Sequence, residues 1–172
     1  MINQPKEFKS VQKCKQPFMW ILIIGVSALI WYLTYQQFIL DNPVGSNSAP
    51  DSVMIIIWIV IGIGFPLALF SMKLIIKIDS ENFYYRLFPL HLRMHSYRLA
   101  DIESMETVTY RPILDFGGWG IRWGRKGKGY IISGKKGVKV YLRAGRPVYF
   151  SSDEPEEVVR AYKKFSRDRK VL

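Results

Sequence analysis

Cations dominate the side chains that could bind a ligand. Between Arg111 and Arg146 the chain carries ten Lys and Arg residues and a single acid, Asp115. A cation that lies within a Debye length, about 8 Å, of an anionic membrane contributes about 1 kcal/mol of attraction. The alternative is a set of solvated basic loops that only helps to orient the chain. The candidates for contact with anionic lipid or a protein partner are Arg122, Arg125, Lys126, Lys128, Lys135 and Lys136.

Two tryptophans, Trp119 and Trp123, form a candidate aromatic surface within this segment. In a β-strand they would share one face with Ile121, and the opposite face would carry only glycines and Arg122. The glycine face would permit close approach by another backbone or a ligand, with Arg122 available for an anion. We expect the aromatic face to pack in a core; a surface that dips into a membrane or binds a partner is the alternative.

The remaining chemistry-bearing residues do not predict a catalytic or metal site. His91 and His95 would share a strand face with Arg93, opposite Leu90, Leu92 and Met94, and they are the only histidines. We therefore expect a solvent-facing strand surface rather than a metal site. The segment 129–136 differs from a phosphate-binding loop because Lys136 replaces the Ser or Thr. With carboxylates sparse and scattered, we expect no enzyme activity, no catalytic residue, no metal and no cofactor.

Two long apolar runs precede the basic segment. Residues 17–35 and 53–72 contain no charged residue, and each has about the length needed to cross a hydrocarbon core roughly 30 Å thick. Neither run shows the polar stripe of a buried globular helix. We predict transmembrane helices over 17–36 and 53–72, joined by a short outside loop, 37–52. A cleaved signal peptide is the alternative for the first run, but the run continues beyond a short apolar core.

The distribution of Lys and Arg predicts the orientation of these helices. The N-terminal arm, residues 1–16, contains four Lys residues, the connection 36–52 contains no Lys or Arg, and Lys73 and Lys77 follow the second run. The positive-inside rule then places both termini in the cytoplasm and the chain in the inner (cell) membrane as a multi-pass protein. Cys14, the only cysteine, allows no intrachain disulfide, and acylation there is an alternative to a silent thiol.

A helix distortion is expected within the second run. Gly62, Gly64 and Pro66 lie close together, and Pro66 cannot donate a hydrogen bond to the carbonyl of Gly62. The kink could serve as a hinge or a close helix contact, or it could be an ordinary distortion of a membrane helix.

The remainder of the chain, residues 73–172, has the pattern of a mainly-β domain. Short alternating apolar segments separated by turn residues predict an antiparallel sandwich or barrel. A C-terminal helix over about 153–167 follows, with Asp153 as its N-cap and Glu156 three residues on. The strands are predicted over 74–78, 83–88, 91–97, 103–110, 119–124, 129–133, 138–143 and 147–151.

Several stretches of this domain carry a resemblance to a known group. Residues 97–104, 110–113, 117–122, 130–134 and 148–157 resemble uncharacterised prokaryotic membrane proteins in which a pleckstrin-homology-like (bacterial PH) domain follows a two-helix hairpin. The resemblance covers residues 74–165. It implies a bent antiparallel barrel or sandwich of about seven to eight strands closed by a C-terminal helix, and it transfers no catalytic residue.

These observations favour a membrane-anchored PH-like module. We expect a non-enzymatic scaffold at the cytoplasmic membrane face that contacts anionic lipid, a protein partner or a second copy of itself. Because the domain begins directly after the second apolar run, its basic segment favours lipid over nucleic acid. The alternative is an accessory subunit of a transport, secretion or envelope-stress complex.

Overall fold

The computed structural model describes residues 7–42, 48–124 and 126–168. The chain divides into two compact units. The helical unit is Gln16–Ser71, and the β unit combines Met1–Lys15 with Met72–Leu172. The N-terminal arm therefore belongs to the same unit as the C-terminal part of the chain.

The helical unit contains two apolar helices that are long and apolar enough to span a membrane. The first is α1, Pro17–Phe38, and the second extends over Asp51–Phe70. The second helix has three parts: α2 (Asp51–Ile57), a π-helical segment (Trp58–Gly64) and α3 (Phe65–Phe70). The positions of the two helices agree with the two apolar runs. A helix is expected for such a run because it satisfies the backbone N–H and C=O groups within the segment.

The π-helical segment occurs where the glycines and Pro66 predict a distortion. Pro66 has no N–H for the carbonyl of Gly62, and the indole Nε1 of Trp31 donates a hydrogen bond to this carbonyl at 3.2 Å. Gly62 is buried, and the rings of Trp31 and Trp58 meet edge to face at 5.0 Å. The distortion therefore coincides with a close contact between the two helices, in which glycine leaves room for two indole rings.

Four antiparallel strands form the first sheet of the β unit, sheet A. In order they are β1 (Phe8–Lys13), β2 (Lys73–Ile78), β3 (Asn82–Phe88) and β4 (His95–Arg98). β2 and β3 alternate between buried apolar and partly exposed residues, which is the pattern of a sheet with one face on the core.

The second sheet, sheet B, contains five strands in the order β5-β8-β9-β7-β6. β7 and β9 are parallel, and the other neighbours are antiparallel. Because the described strands form two sheets with separate hydrogen-bond ladders, the predicted mainly-β class is confirmed, but the barrel is not closed. The strands are β5 (Ile102–Thr109), β6 (Gly120–Gly124), β7 (Gly127–Ile131), β8 (Lys136–Leu142) and β9 (Val148–Ser151), with the short helix α4 (Pro112–Phe116) between β5 and β6.

An aromatic core joins the two sheets. The ring of Tyr85 on β3 lies 4.8 Å from that of Tyr130 on β7, and Phe83 lies 5.1 Å from Phe150 on β9. Helix α5, Pro155–Asp168, covers the core with an apolar face that includes the buried residues Val158, Tyr162 and Phe165. The C-terminal helix is thus confirmed.

The start of α5 differs from the prediction. The helix begins at Pro155, and proline suits a first helical position because its missing N–H would have no partner there. Asp153 is not the cap. Its carboxylate instead accepts hydrogen bonds from Gln12 Nε2 (3.0 Å) and Lys15 Nζ (2.9 Å), which ties the N-terminal arm to the start of the helix.

Strand β1 was not predicted from the sequence of the N-terminal arm. It pairs with β2 over its whole length, from Phe8↔Ile78 to Lys13↔Lys73. Its inward side carries the buried Gln12, and its outward side carries Lys9, Val11 and Lys13. The polar composition hides the alternation that would identify a strand.

The predicted strand over 91–97 begins late, at His95. The His91 N–H donates to the carbonyl of Leu87 at 2.7 Å, and the carbonyl of His91 accepts from Arg86 Nε at 3.1 Å. These bonds fold the chain back on itself after β3. The prediction that His91 and Arg93 lie on a strand face with His95 is therefore wrong.

The contact at Gly62 yields a matched pair of variants. A Cβ at Gly62 would lie 3.2 Å from Trp58 Cδ1 and 3.4 Å from Ile30 Cγ2, whereas a Cβ at Gly25 has no atom within 4 Å. Gly62→Leu should lower the free energy of unfolding of the full chain in detergent by about 1–3 kcal/mol, the usual cost of overpacking. Gly25→Leu should leave it nearly unchanged. Equal effects of the two substitutions in a denaturant titration would contradict the contact.

Candidate functional site

Both covalent connections between the two units leave the β unit from one end of sheet A. Lys13 pairs with Lys73, and Lys73 pairs with Phe88, so these three residues are adjacent on neighbouring strands. Only residues 14–16 separate β1 from α1, and only residues 71–72 separate α3 from β2. We call this end of sheet A, marked by Lys13, Lys73 and Phe88, the connection end.

Sheet B crosses the connection end through β7 and the residues that follow it. The ring of Tyr130 lies 5.5 Å from that of His91, in the loop that follows β3. Three residues later, Ser133 Oγ donates a hydrogen bond to the carbonyl of Lys13 at 3.3 Å. The chain from Tyr130 to Ser133 therefore passes from the β3 side to the β1 side of sheet A. Residues just before and just after this stretch must lie close to the connection end.

This crossing places three of the predicted basic residues, Lys128, Lys135 and Lys136, near the two sides of the connection end. Lys128 precedes Tyr130 by two residues, and its Nζ lies 5.0 Å from the Tyr130 ring. Lys135 and Lys136 follow Ser133 and are exposed. Lys128, Lys135 and Lys136 therefore lie within three residues of the two contacts, Tyr130 with His91 and Ser133 with Lys13, that the chain makes beside this end.

The β6–β7 hairpin carries the other predicted site residues. Trp123 pairs across the strands with Lys128, and the Lys128 ammonium lies 4.8 Å from the Trp123 ring. This is cation–π geometry, which holds the ammonium beside an exposed aromatic ring. Arg122 is also exposed, and its Nε donates to the carbonyl of Trp119 at 2.8 Å. Arg125, which follows β6 in the sequence, lies outside the described residues.

Lys126 is partly neutralised. Its Nζ lies 3.0 Å from Asp115 Oδ1, and Asp115 Oδ2 accepts a hydrogen bond from the Arg111 N–H at 2.8 Å. The bond from Arg111, followed by that from Lys126, lowers the pKa of the Asp115 carboxyl. The single acid of the basic segment is thus engaged within the hairpin region, which leaves Arg122 and Lys128 as its more available cations.

The two tryptophans do not share a face, contrary to the sequence analysis. Trp123 is exposed on the Lys128 and Tyr130 side of the hairpin, whereas Trp119 packs against a cluster that includes Ile131. Tyr130 and Ile131 are consecutive in β7 and therefore face opposite sides. Gly120, between the two tryptophans, has a φ of 101°, which other residues rarely adopt, and Trp119 precedes the first residue of β6, so regular strand alternation does not link them. The core interpretation fits Trp119 only.

The loop 89–94 contributes apolar residues that sequence reasoning missed. Leu90, Leu92 and Met94 are exposed, although they form the apolar side of the predicted strand. The loop follows Phe88 directly, so it begins at the connection end. Its one charged residue, Arg93, is exposed as well. The alternation of apolar residues around a cation is the available signal, but this alternation predicts a sheet face and not an exposed loop.

Beside this loop lies a group of tyrosines and histidines, of which Tyr85 and Tyr130 are buried. The hydroxyl of Tyr130 donates to that of Tyr85 at 3.3 Å, and the hydroxyl of Tyr85 donates to that of Tyr97 at 3.5 Å. Burial is the main cause that raises the pKa of Tyr85 to about 12. The His91 and His95 rings lie 4.3 Å apart, and in the described part of the chain no third metal-ligating side chain completes a cluster with them. These groups pack the loop against sheet B.

The chain belongs to DUF6141, a family of unknown function, whose model matches residues 3–165. The match includes β1, both apolar helices and nearly all of the β unit. No curated protein matches the chain. The family therefore contributes no activity, and any function must be argued from the surfaces described above.

The pKa of His91 tests whether the loop and the hairpin meet. Burial, followed by the nearby charges of His95 and Lys128, lowers this pKa from the ordinary value of 6.5. Since the folded state disfavours the proton, the contribution of His91 to stability is complete above pH 6.5 and is lost as the pH falls toward the lowered pKa. Lys128→Gln should raise the pKa of His91, as measured by histidine NMR on the full chain in detergent.

Two variants make this titration unambiguous. His95→Asn leaves a single histidine and so assigns the signal, and Lys126→Gln is the matched control because Lys126 pairs with Asp115. A His91 pKa at or above 6.5 that does not respond to Lys128→Gln would show that the loop does not lie beside the hairpin.

Proposed function

We propose that the protein is a membrane-anchored interaction module with a PH-like β unit, which contacts anionic lipid or a protein partner at the cytoplasmic face of the cell membrane. It acts by binding, without catalysis. One observation carries the proposal: the end of sheet A that connects to the apolar helices is also the end past which the chain that carries Lys128, Lys135 and Lys136 runs.

Membrane anchoring is supported by the surface of the helical unit. In the most apolar stretch of each helix only 6% is buried within the chain. Large apolar side chains such as Phe18, Ile21 and Leu67 are mostly exposed. Such a surface is costly in water but is the ordinary surface of a helix in a bilayer, where the surrounding hydrocarbon covers it. This supports the proposal that each of the two helices spans the membrane.

The PH-like assignment is supported by the order of elements. Two packed sheets, mostly antiparallel, are followed by one C-terminal helix that covers the core between them. The open sandwich agrees with the sandwich form of the prediction and not with a closed barrel. This order of elements supports a PH-like architecture, in which binding surfaces lie on loops at one end of a rigid core.

Chain length limits how far the connection end can be from a membrane that the helices cross. At 3.8 Å between consecutive Cα atoms, the step from Phe70 to Lys73 spans at most about 11 Å, and that from Lys13 to Pro17 at most about 15 Å. Charges near this end therefore fall within reach of the headgroups. Asp153 is an acid near this end; burial raises its pKa, but hydrogen bonds from Lys15 and Gln12 outweigh the burial, so the pKa is lowered.

The orientation is testable by cysteine labelling of intact cells. In a Cys14→Ser background, Ser48→Cys should react with a membrane-impermeant maleimide, because the connection between the helices faces outward. Ser104→Cys should react only after lysis. Both positions are exposed, so burial does not confound the comparison. Labelling of Ser104→Cys in intact cells, with Ser48→Cys unreactive, would overturn the proposed topology.

Lipid contact is testable by photocrosslinking in nanodiscs of phosphatidylcholine with phosphatidylglycerol. A headgroup-activated phosphatidylglycerol should label the hairpin and the turn after β7 in the full chain. Arg122→Glu with Lys128→Glu should reduce this labelling at least about tenfold, because each cation near the surface contributes about 1 kcal/mol. Higher salt should act in the same direction.

The control variant is Arg160→Glu with Lys164→Glu. It makes the same change of charge on exposed α5 residues that line a groove with Phe8, and Phe8 lies at the end of β1 opposite Lys13. Labelling of the hairpin should survive this change. An equal loss of labelling in both variants would show that labelling depends only on the net charge of the chain. An unlabelled parent chain would rule out the lipid contact in favour of a protein partner.

A further inference from the structure

We propose that the loop 89–94 and Trp123 insert into the interfacial layer of the membrane that anchors the chain. We call Leu90, Leu92, Met94 and Trp123 the insertion surface. The inference rests on the proposed function, because it takes the bilayer to lie beside the connection end. It goes further by naming the side chains that leave water and the layer of the bilayer that receives them.

The exposure of these four side chains is the first observation. Leu92 is 79% exposed, Trp123 77%, Leu90 56% and Met94 42%. A single exposed leucine on a protein surface needs no explanation, but several in one short loop do. Ile113 and Leu114 are also exposed, but they lie on α4 and not on the loop. Helix α4 is held beside the hairpin by the ion pair between Asp115 and Lys126. Among the other described residues of the β unit, the one comparable side chain is Val11, on the edge strand β1.

Contacts within the β unit bring the two parts of the insertion surface together. Trp123 lies 4.8 Å from Lys128, Lys128 lies 5.0 Å from Tyr130, and the rings of Tyr130 and His91 are 5.5 Å apart. His91 belongs to the same loop as Leu90 and Leu92. The loop and the hairpin are therefore neighbours, with the loop beginning at Phe88 beside Lys73.

The charges around the insertion surface suit an anionic bilayer. Arg93 lies within the loop, and Lys128 holds its ammonium beside the Trp123 ring. No acid occurs in the sequence between Glu81 and Asp101, and Asp115 near the hairpin is paired with Lys126. Tryptophan and long cationic side chains prefer the interface, where the ring or the methylene stem enters apolar surroundings and the polar group stays hydrated.

The short connections favour the bilayer over a protein as the occupant. Phe88, the residue before the loop, pairs with Lys73, and Lys73 is three residues from the end of the second apolar helix. An apolar loop tethered this closely to a span meets the membrane at a far higher effective concentration than it meets any partner in solution. Insertion needs no further folding of the loop, because hydrogen bonds of His91 with Leu87 and Arg86 already hold it in place.

Spin-label accessibility tests the insertion directly. Nitroxide labels are placed at Leu92→Cys and, as control, at Ser80→Cys, in a Cys14→Ser background of the full chain in phosphatidylcholine and phosphatidylglycerol nanodiscs. Both residues are exposed, and Ser80 lies in the turn between β2 and β3 at the opposite end of sheet A. The ratio of collisions with oxygen to collisions with a water-soluble nickel chelate should be at least threefold higher at position 92 than at position 80.

The other outcomes overturn the proposal in distinguishable ways. Equal nickel accessibility at the two positions places the loop in water; if headgroup crosslinking of the hairpin persists, insertion fails and the proposed lipid contact stands. If crosslinking is also absent, the proposed lipid contact fails as well. Protection of position 92 from both oxygen and nickel places a protein, such as a second copy of the chain, on the loop instead of lipid.

Discussion

The pairing of β1 with β2 is the interaction on which the rest of the structure depends. These strands flank the helical unit in sequence, and their ladder from Phe8↔Ile78 to Lys13↔Lys73 joins the two flanks into one sheet. This pairing closes a loop that contains the whole helical unit. Loop closure costs conformational entropy, but the cost rises only slowly with the length of the loop. The bonds of Gln12 and Lys15 with Asp153 add a second attachment, to the segment before α5. As a result both connections to the apolar helices leave from adjacent strands.

From this constraint the character of the connection end follows. β7 crosses it, so Lys128 lies on one side and Lys135 and Lys136 lie on the other. The loop 89–94, which exposes three apolar side chains, also starts at this end. In the function proposed above, the cations at this end attract the headgroups and the apolar groups enter beneath them.

Much of the fold could be predicted from the sequence because the signals are local. The two apolar helices follow from composition alone, and most predicted strands lie within a few residues of those observed, because alternation with turn residues is a short-range pattern. The failures have non-local causes. β1 is hidden because its inward Gln12 finds a partner in Asp153, far along the chain. Trp119 and Trp123 do not share a face, and Gly120 between them has a positive φ angle that no spacing rule anticipates.

The candidate site was predictable in composition but not in arrangement. The six cations could be chosen from charge density, whereas the places of Lys128, Lys135 and Lys136 depend on how the chain from Tyr130 to Ser133 passes sheet A. Helix α4 was missed, although Pro112 at its start and Gly117 (φ 74°) after its end are the usual signals of a helix start and stop. The loop 89–94 was misassigned because alternation alone does not distinguish a strand from an exposed loop.

Hydrogen exchange at residues 8–13 in the full chain, reconstituted in nanodiscs, tests the central pairing most directly. If β1 is part of sheet A, the amides of this segment that face β2 exchange as slowly as those of β2 itself, and Gln12→Ala with Lys15→Ala speeds their exchange by removing both bonds to Asp153. Exchange of residues 8–13 at the rate of an unstructured arm, with β2 still protected, would contradict the account.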